Sequence, residues 1–456
     1  MLKRTPCVVL FAAYMFLHTT TLQLGSHGGA AYLAASQQET LYYLHQVCSV
    51  LGFLAFPVSR RVLRGKRSRR LLTAAAMAAY ALGTAALFST RGAFVYRYVA
   101  SAVIFCLGYM GGLVYWRMSE TLRGSSRAGI SMGAGYAAAY ALQFPLQLWH
   151  GASPLLPVAM LAAFALLADL LLRMPEPAAG EADDGAEPQG GALTVSLSCA
   201  CVVTTALILL NCFYDGYIER MQVLTGYTAY SAFGWPRLTL VPCFLLFGLL
   251  GDVKQGRFLP LTALCAILCT LLNPVLTGVA GAYYLNMCLF YIGVAAAISY
   301  YTLTFWRLAP RTRRPALWAG MGRVIDGAAG VAMGLLHFSD SAVPVVIGVE
   351  AALLVAVIVA LAVNGDLNLT SREAFSPVPA PAEPPADPLA AMRARYALTE
   401  RETEVLEKLL LTEDSLQEIA DELLISRRVL QRHITALYQK TGAKSRVGLA
   451  QLYRKI

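Results

Sequence analysis

Apolar residues run in long unbroken stretches through residues 7–363 and then change to short helical stripes. Twelve stretches fall at approximately 7–24, 41–58, 71–89, 93–116, 128–149, 153–172, 192–213, 230–250, 258–278, 282–306, 316–337 and 342–363. Each is near the ~20 residues that a helix needs to cross the hydrocarbon core of a bilayer. Backbone groups in lipid must be satisfied within their own segment, so runs of this length predict helices rather than barrel strands. Lys3 and Arg4 precede the first run, but the eleven runs behind it favour an uncleaved first helix over a signal peptide. The polar loop Arg173–Gly191, rich in Pro, Gly and acidic residues, divides the runs six and six. Each half places a basic loop between its second and third runs, a correspondence that predicts two repeated halves, 1–172 and 192–363.

After Val363 the pattern is different. Residues 364–395 carry six prolines from Pro377 to Pro388 and few large apolar residues, and read as an extended linker. At the polyproline rise such a segment reaches about 100 Å. Residues 396–456 then show Thr399-Glu-Arg-Glu402 and Ser415-Leu-Gln-Glu418, two capping boxes that mark helix starts. The first helix offers Val405, Leu406, Leu409 and Leu410 for burial, and the second offers Leu416, Ile419, Ala420 and Leu423. A short turn at Leu424–Ile425 leads to Ser426 as the next N-cap. The third helix runs to about Lys440 and ends at Gly442. A fourth helix after Ser445 presents Val447, Leu449, Ala450 and Leu452. Helix, short turn, helix is a helix-turn-helix pattern.

Composition agrees: 57% of residues are hydrophobic and 14% charged, where a soluble domain has about a quarter charged. The net charge of +10 suggests nucleic acid, but its position says otherwise. Residues 1–363 hold 24 basic and 14 acidic residues, and residues 364–456 hold 13 of each. With the amino terminus inside, 19 basic residues fall on the inner side and only Arg91 and Arg220 outside. The basic balance therefore orients a membrane domain and places both termini in the cytoplasm. Within the neutral tail, residues 396–422 hold nine acidic and two basic residues, whereas residues 423–456 hold eight basic and none acidic. Arg427, Arg428, Arg432, Lys440, Lys444 and Arg446 make the footprint of a DNA-facing side. The other reading is a patch on an anionic inner leaflet. All ten Cys lie in the apolar part without clustered His or carboxylate partners, so neither metal nor disulfide is expected. The sequence has no nucleophile motif, Walker A loop or kinase motif, and no catalytic residue or cofactor is expected.

Two resemblances follow. Gly248-Leu-Leu-Gly-Asp252-Val-Lys254-Gln-Gly256-Arg257 resembles the G-x-L-x-D-x-x-G-R signature of the major facilitator superfamily, with one extra residue before the second Gly. The resemblance implies charge contacts between helix ends. The first-half counterpart, Pro57 to Arg70, has no Asp. Leu398-Thr-Glu-Arg-Glu402, Val405-Leu406, Glu418-Ile-Ala420, Leu423, Ile425-Ser426, His433, Tyr438, Lys440, Gly442 and Ser445-Arg446 resemble the LuxR-type helix-turn-helix. That resemblance implies a recognition helix at Ser426–Lys440, Gln431, Arg432 and Thr435 toward base edges, and Arg427, Arg428, Lys440 and Lys444 nearer phosphates. It also implies dimer formation through the fourth helix. The sequence departs from the family at Val429-Leu430, where Thr-Val is usual, and lacks the usual Gly within Thr412–Ser415. Gln pairs bidentately with adenine and Arg with guanine.

Arg97, Arg237, Arg323, Asp326 and Glu350 lie within apolar runs, where ionisable residues are costly. They are structural ion pairs or line a cavity for a polar small molecule. Arg323 and Asp326, three apart, share a helix face. The expectation is an all-α protein: a six-plus-six transmembrane bundle bearing a four-helix DNA-binding module at 396–456. Its partners would be promoter DNA, a small-molecule inducer, the lipid bilayer and a second copy on DNA. A transporter with a regulatory tail and a sensor of membrane state are the rival readings.

Overall fold

The computed structural model describes residues 5–30, 33, 35–63, 65–89, 92–148, 155–173, 190–225, 234–277, 279, 282–336, 343–365, 388–411, 414–443 and 445–455. They form two compact units, divided between residues 378 and 379. Every apolar run has become helix: α1 (Thr5–Ala30), α2 (Ala35–Val62), α3 (Lys66–Ser89), α4 (Ala100–Thr121), α5 (Ala128–Leu148) and α6 (Leu155–Arg173) in the first half. The second half contains α7 (Gly190–Thr225), α8 (Leu240–Asp252), α9 (Leu259–Thr277), α10 (Tyr283–Leu308), the single turn α11 (Pro315–Trp318), α12 (Met321–Leu336) and α13 (Val343–Val363). Among the described residues there is no strand. Among the described residues, seven helices are long and apolar enough to cross a membrane, and two shorter ones are apolar. The first unit is thus a multi-pass membrane domain. α8 is shorter than the run at 230–250 predicts, because Pro236 at its approach starts a 3-10 turn, Trp235–Thr239, and residues 230–233 lie outside the described set.

Leaving α11 aside, the helix pairings repeat at an offset of six. In the first half α1 packs on α5 and α6, and α4 packs on α2 and α3. In the second half α7 packs on α12 and α13, and α10 packs on α8 and α9. The crossings between halves, α5 with α8 and α2 with α12, are exchanged by the same relation. The repeat expected from the two basic loops is therefore present in three dimensions. At the α5–α8 crossing the backbones touch: a Cβ on Gly248 would stand 2.5 Å from the Gly129 carbonyl oxygen. Small residues permit such approach in membranes, where apolar burial gives helices little reason to associate.

The core of this unit is aromatic. Phe11 meets Tyr115, Tyr136 and Trp306 edge to face at 5.1–5.5 Å, and Tyr136 stacks on Phe244 at 4.4 Å. Tyr300, Tyr301, Phe305 and Trp306 are all buried in it.

The second unit contains α14 (Pro388–Tyr396), α15 (Glu400–Leu411), α16 (Leu416–Glu422), α17 (Arg427–Thr441) and α18 (Arg446–Lys455). Its core holds Val405, Leu406, Leu409, Ile419, Ala420, Leu430, Leu437 and Leu449, with Leu410, Leu416, Leu423 and Leu452 packed against it. One correction concerns the linker. Residues 388–395 were expected to be extended, but they form most of α14 and seat Met392 in this core, fully buried. Pro388 is tolerated there because it begins the helix, where its missing N–H costs nothing. The bulk of the Pro-rich segment, residues 366–387, lies outside the described residues.

Candidate nucleic-acid interface and buried charge network

Each helix of the second unit begins where side-chain chemistry places it. The Thr399 amide donates to Glu402 Oε2 (2.7 Å) and the Glu402 amide to Thr399 Oγ1 (3.3 Å), closing the first capping box. Ser415 and Glu418 close the second, at 2.7 and 3.4 Å. Ser426 Oγ accepts from the Val429 amide (3.4 Å) and starts α17. Gly442 ends it at φ 71°, its amide bonded to the Tyr438 carbonyl (2.9 Å). The turn between α16 and α17 puts Leu424 at φ 54° with its side chain exposed, held by the Ile425 amide on the Ala420 carbonyl (2.9 Å).

α17 buries Leu430, Ile434 and Leu437 and turns Arg427, Arg428, Gln431, Arg432 and Thr435 to solvent. Residues 427, 431 and 435 recur every fourth position, so they share one face with Arg428 and Arg432. A recess of about 680 Å³ lies beside that face, bounded by Leu409, Leu416 and Tyr438. The Thr435 hydroxyl donates back to the Gln431 carbonyl (2.9 Å), leaving its lone pairs outward.

Two residues expected on the DNA-facing side, Lys440 nearer phosphate and Arg446, are engaged within the unit. Lys440 Nζ donates to Glu402 Oε2 (2.6 Å) and to the Ala397 carbonyl (3.2 Å). Arg446 Nε donates to the Leu409 carbonyl (2.7 Å) and Nη1 to that of Asp414 (3.3 Å), satisfying the end of α15. Both are clamps of the fold, for which net charge along a sequence gives no warning. Burial by itself raises the Glu402 carboxyl. The Lys440 ammonium and the Thr399 amide and hydroxyl together outweigh it and hold the group below its ordinary value. Lys444 lies outside the described residues. His433 is half-buried, in keeping with a packing role.

In the membrane unit, two of the five ionisable residues of the apolar runs are seen paired. Arg323 and Asp326 meet at 2.7 Å on α12, as their spacing predicts. Arg237 sits 5.2 Å from the ring of Tyr140, Arg97 lies on the π turn Val95–Val99 that leads into α4, and Glu350 is buried on α13. The sequence reading missed the pair's neighbours. Arg323 Nη1 also donates to the Tyr301 hydroxyl (3.1 Å), and that hydroxyl donates to Asp326 Oδ2 (3.0 Å). Arg323 Nη2 lies 2.7 Å from His18 Nε2. A guanidinium only donates, so Nε2 accepts and the proton of a neutral His18 sits on Nδ1. That Nδ1 and the hydroxyl of Tyr14, stacked on the same imidazole, are buried with no hydrogen-bond partner among the described residues. No spacing rule connects residue 18 to residue 323; only the fold does.

The signature loop of the second half is a clamp. Asp252 Oδ1 and Oδ2 accept from the Gly129 and Ile130 amides (2.6 and 2.7 Å), capping α5 from the end of α8. Arg307, near the end of α10, donates to the Gly251 carbonyl (2.6 Å) and lies 3.6 Å from Asp252. Gly256 has φ 97°, and a Cβ there would stand 2.0 Å from Arg307 Nη1. The helix-end charge contacts implied by the motif are present.

No curated protein matches the chain. Among solved structures, the fold is similar to the crystal structure of the human organic anion transporter MFSD10 (TETRAN), at 16% identity and a TM-score of 0.47, over 80% of this chain and 99% of that one. Residues 396–453 match the model of the bacterial regulatory proteins of the luxR family (GerE). The C-terminal unit is accordingly a luxR-type helix-turn-helix, carried in one chain with a multi-pass membrane domain.

Proposed function

We propose that this chain is a membrane-bound one-component transcriptional regulator. Its membrane domain senses a small molecule, and its C-terminal unit binds promoter DNA as a homodimer. The observation that carries the reading is the union in one chain of a luxR-type helix-turn-helix with helices able to span a bilayer. Binding to promoter DNA places that unit on the cytoplasmic side, in agreement with the basic loops, and puts the chain in the cytoplasmic membrane with both termini inside. Ligand sensing is supported by the unsatisfied His18 Nδ1 and Tyr14 hydroxyl beside Arg323, since buried polar groups left unpaired are costly and a polar ligand satisfies them. The ligand acts by binding one arrangement of the halves better than the other. Arg427 and Arg428 hold phosphates, and Gln431, Arg432 and Thr435 read base edges.

A thermal-shift screen of the purified chain against host metabolites supplies the inducer. Promoter occupancy is then measured for the full chain and for one lacking residues 1–363. Inducer dependence in the full chain and none in the free module is the expected result. Dependence that survives the deletion contradicts the model. The Asp252 clamp between halves favours one further reading, a working transporter with a regulatory tail. Substrate flux in proteoliposomes separates the two.

A further inference from the structure

The network around Arg323 limits the chemistry of what it can hold. His18 and Tyr14, one helical turn apart on α1, are both buried, and their rings stack at 5.7 Å. The Tyr14 hydroxyl donates or accepts equally well, so it does not discriminate between ligands. His18 does. Its Nε2 faces the Arg323 guanidinium, which only donates, so Nδ1 keeps the proton and offers a donor alone. From the other terminal nitrogen of Arg323, Asp326 Oδ2 accepts one bond, and it accepts a second from the Tyr301 hydroxyl. Asp326 Oδ1 accepts none among the described residues. The Asp326 side chain is 32% exposed although Tyr301 beside it is buried, so the network borders open space at this carboxylate. It ends in a bare donor at His18 and a bare acceptor at Asp326.

The charges of the network already cancel. Among the described residues, those acting on Tyr14, His18 and Tyr301 are Arg323 and Asp326, one of each sign and 2.7 Å apart. A charged ligand entering here leaves its own charge without a counterion in an aromatic, apolar surround, which is costly. An ammonium in addition sets donor against donor at His18 Nδ1. We infer, on the ligand-sensing reading of this network, that it takes an uncharged molecule with an acceptor oxygen for His18 Nδ1 and an O–H or N–H group for Asp326 Oδ1. A primary amide or an alcohol is the simplest such group. Organic anions and cations of the same size are rejected, because the Arg323–Asp326 pair has no net charge to offer them.

The test uses the full chain in neutral detergent, with histidine isotopically labelled for nitrogen NMR, and three planar probes of one shape and three charges: acetamide, acetate and acetamidinium. The His18 signal is identified by its loss in His18→Gln. Acetamide should shift that signal to saturation, at least about tenfold more tightly than acetate or acetamidinium. Asp326→Asn leaves Arg323 uncompensated and should pass the preference to acetate, and Arg323→Gln should pass it to acetamidinium, each by about tenfold. The thermal midpoint shows whether each variant is folded, and the unsubstituted chain decides the class by itself if neither is. Equal affinity for the three probes overturns the uncharged class. Acetate binding that strengthens as pH falls overturns it in favour of an anion taken up with a proton. No shift of the His18 signal by any probe overturns the site. These readouts belong to the membrane unit, whereas the sensing reading fails separately, when promoter occupancy ignores the loss of residues 1–363.

Discussion

Both units set a carboxylate against a cation, and the contrast lies in the company each pair keeps. Glu402 and Lys440 join the start of α15 to the end of α17, and backbone groups on either side complete the set: the Thr399 amide for the acid, the Ala397 carbonyl for the base. Arg323 and Asp326 sit on one helix, and their neighbours His18 and Tyr14 retain polar atoms with no partner among the described residues. The first arrangement is complete and serves rigidity. The second is incomplete at one edge, which is where a ligand gains the most from entering. A DNA reader must hold one face fixed, whereas a sensor needs a place where binding changes the balance between two packings.

The contrast is broken most forcefully at Arg323. Its replacement by Leu leaves the half-buried Asp326 without its cation and should cost about 3 kcal/mol, the lower end for a broken buried pair, read as a fall in the thermal midpoint of the full chain in detergent. Adding Asp326→Leu should restore most of that loss; equal midpoints for the single and double variants would contradict the pairing. In the second unit, Lys440→Ala leaves Glu402 with its Thr399 bonds and should cost about 1–3 kcal/mol in urea unfolding of residues 379–456. The salt dependence of DNA binding should not change, because the Lys440 ammonium is held by Glu402 and the Ala397 carbonyl. Arg428→Ala should show the reverse, unchanged stability and a salt slope shallower by about one.

Arg432→Ala sharpens the comparison from the DNA side. It should relax preference at one base pair by about 1–3 kcal/mol, measured as competition between operator variants. Equal loss on random DNA would make Arg432 a phosphate contact. The smallest effect is the acid response. A carboxyl held below its ordinary value contributes stability above its unfolded pKa, and that contribution fades as pH falls through the folded one. The second unit should therefore lose stability below about pH 4.5, and Glu402→Gln should flatten this limb of the urea-midpoint profile.

Much of this was legible in the residues. Run lengths gave the helices of the membrane unit, because lipid leaves a chain few alternatives. Capping boxes at Thr399 and Ser415 are local chemistry and appear where their spelling predicts. The i, i+3 spacing of Arg323 and Asp326 announced their contact. What stayed hidden was non-local. His18 and Tyr301 reach Arg323 from α1 and α10, and nothing in their own segments points to it. Charge segregation in the tail counted Lys440 and Arg446 with the basic face, since charge carries no record of which carbonyls it satisfies. α14 was hidden by the prolines before it, although Leu389 and Met392 were there to be buried.

The six-helix offset means that every moving joint of the membrane unit was cut twice from one pattern. Asp252 bolts one copy with atoms of the chain itself, tying the end of α8 to the start of α5 and to the arginine near the end of α10. The matching loop of the first half, residues 57–70, contains neither Asp nor Glu, so one pattern carries two joints that are fastened differently.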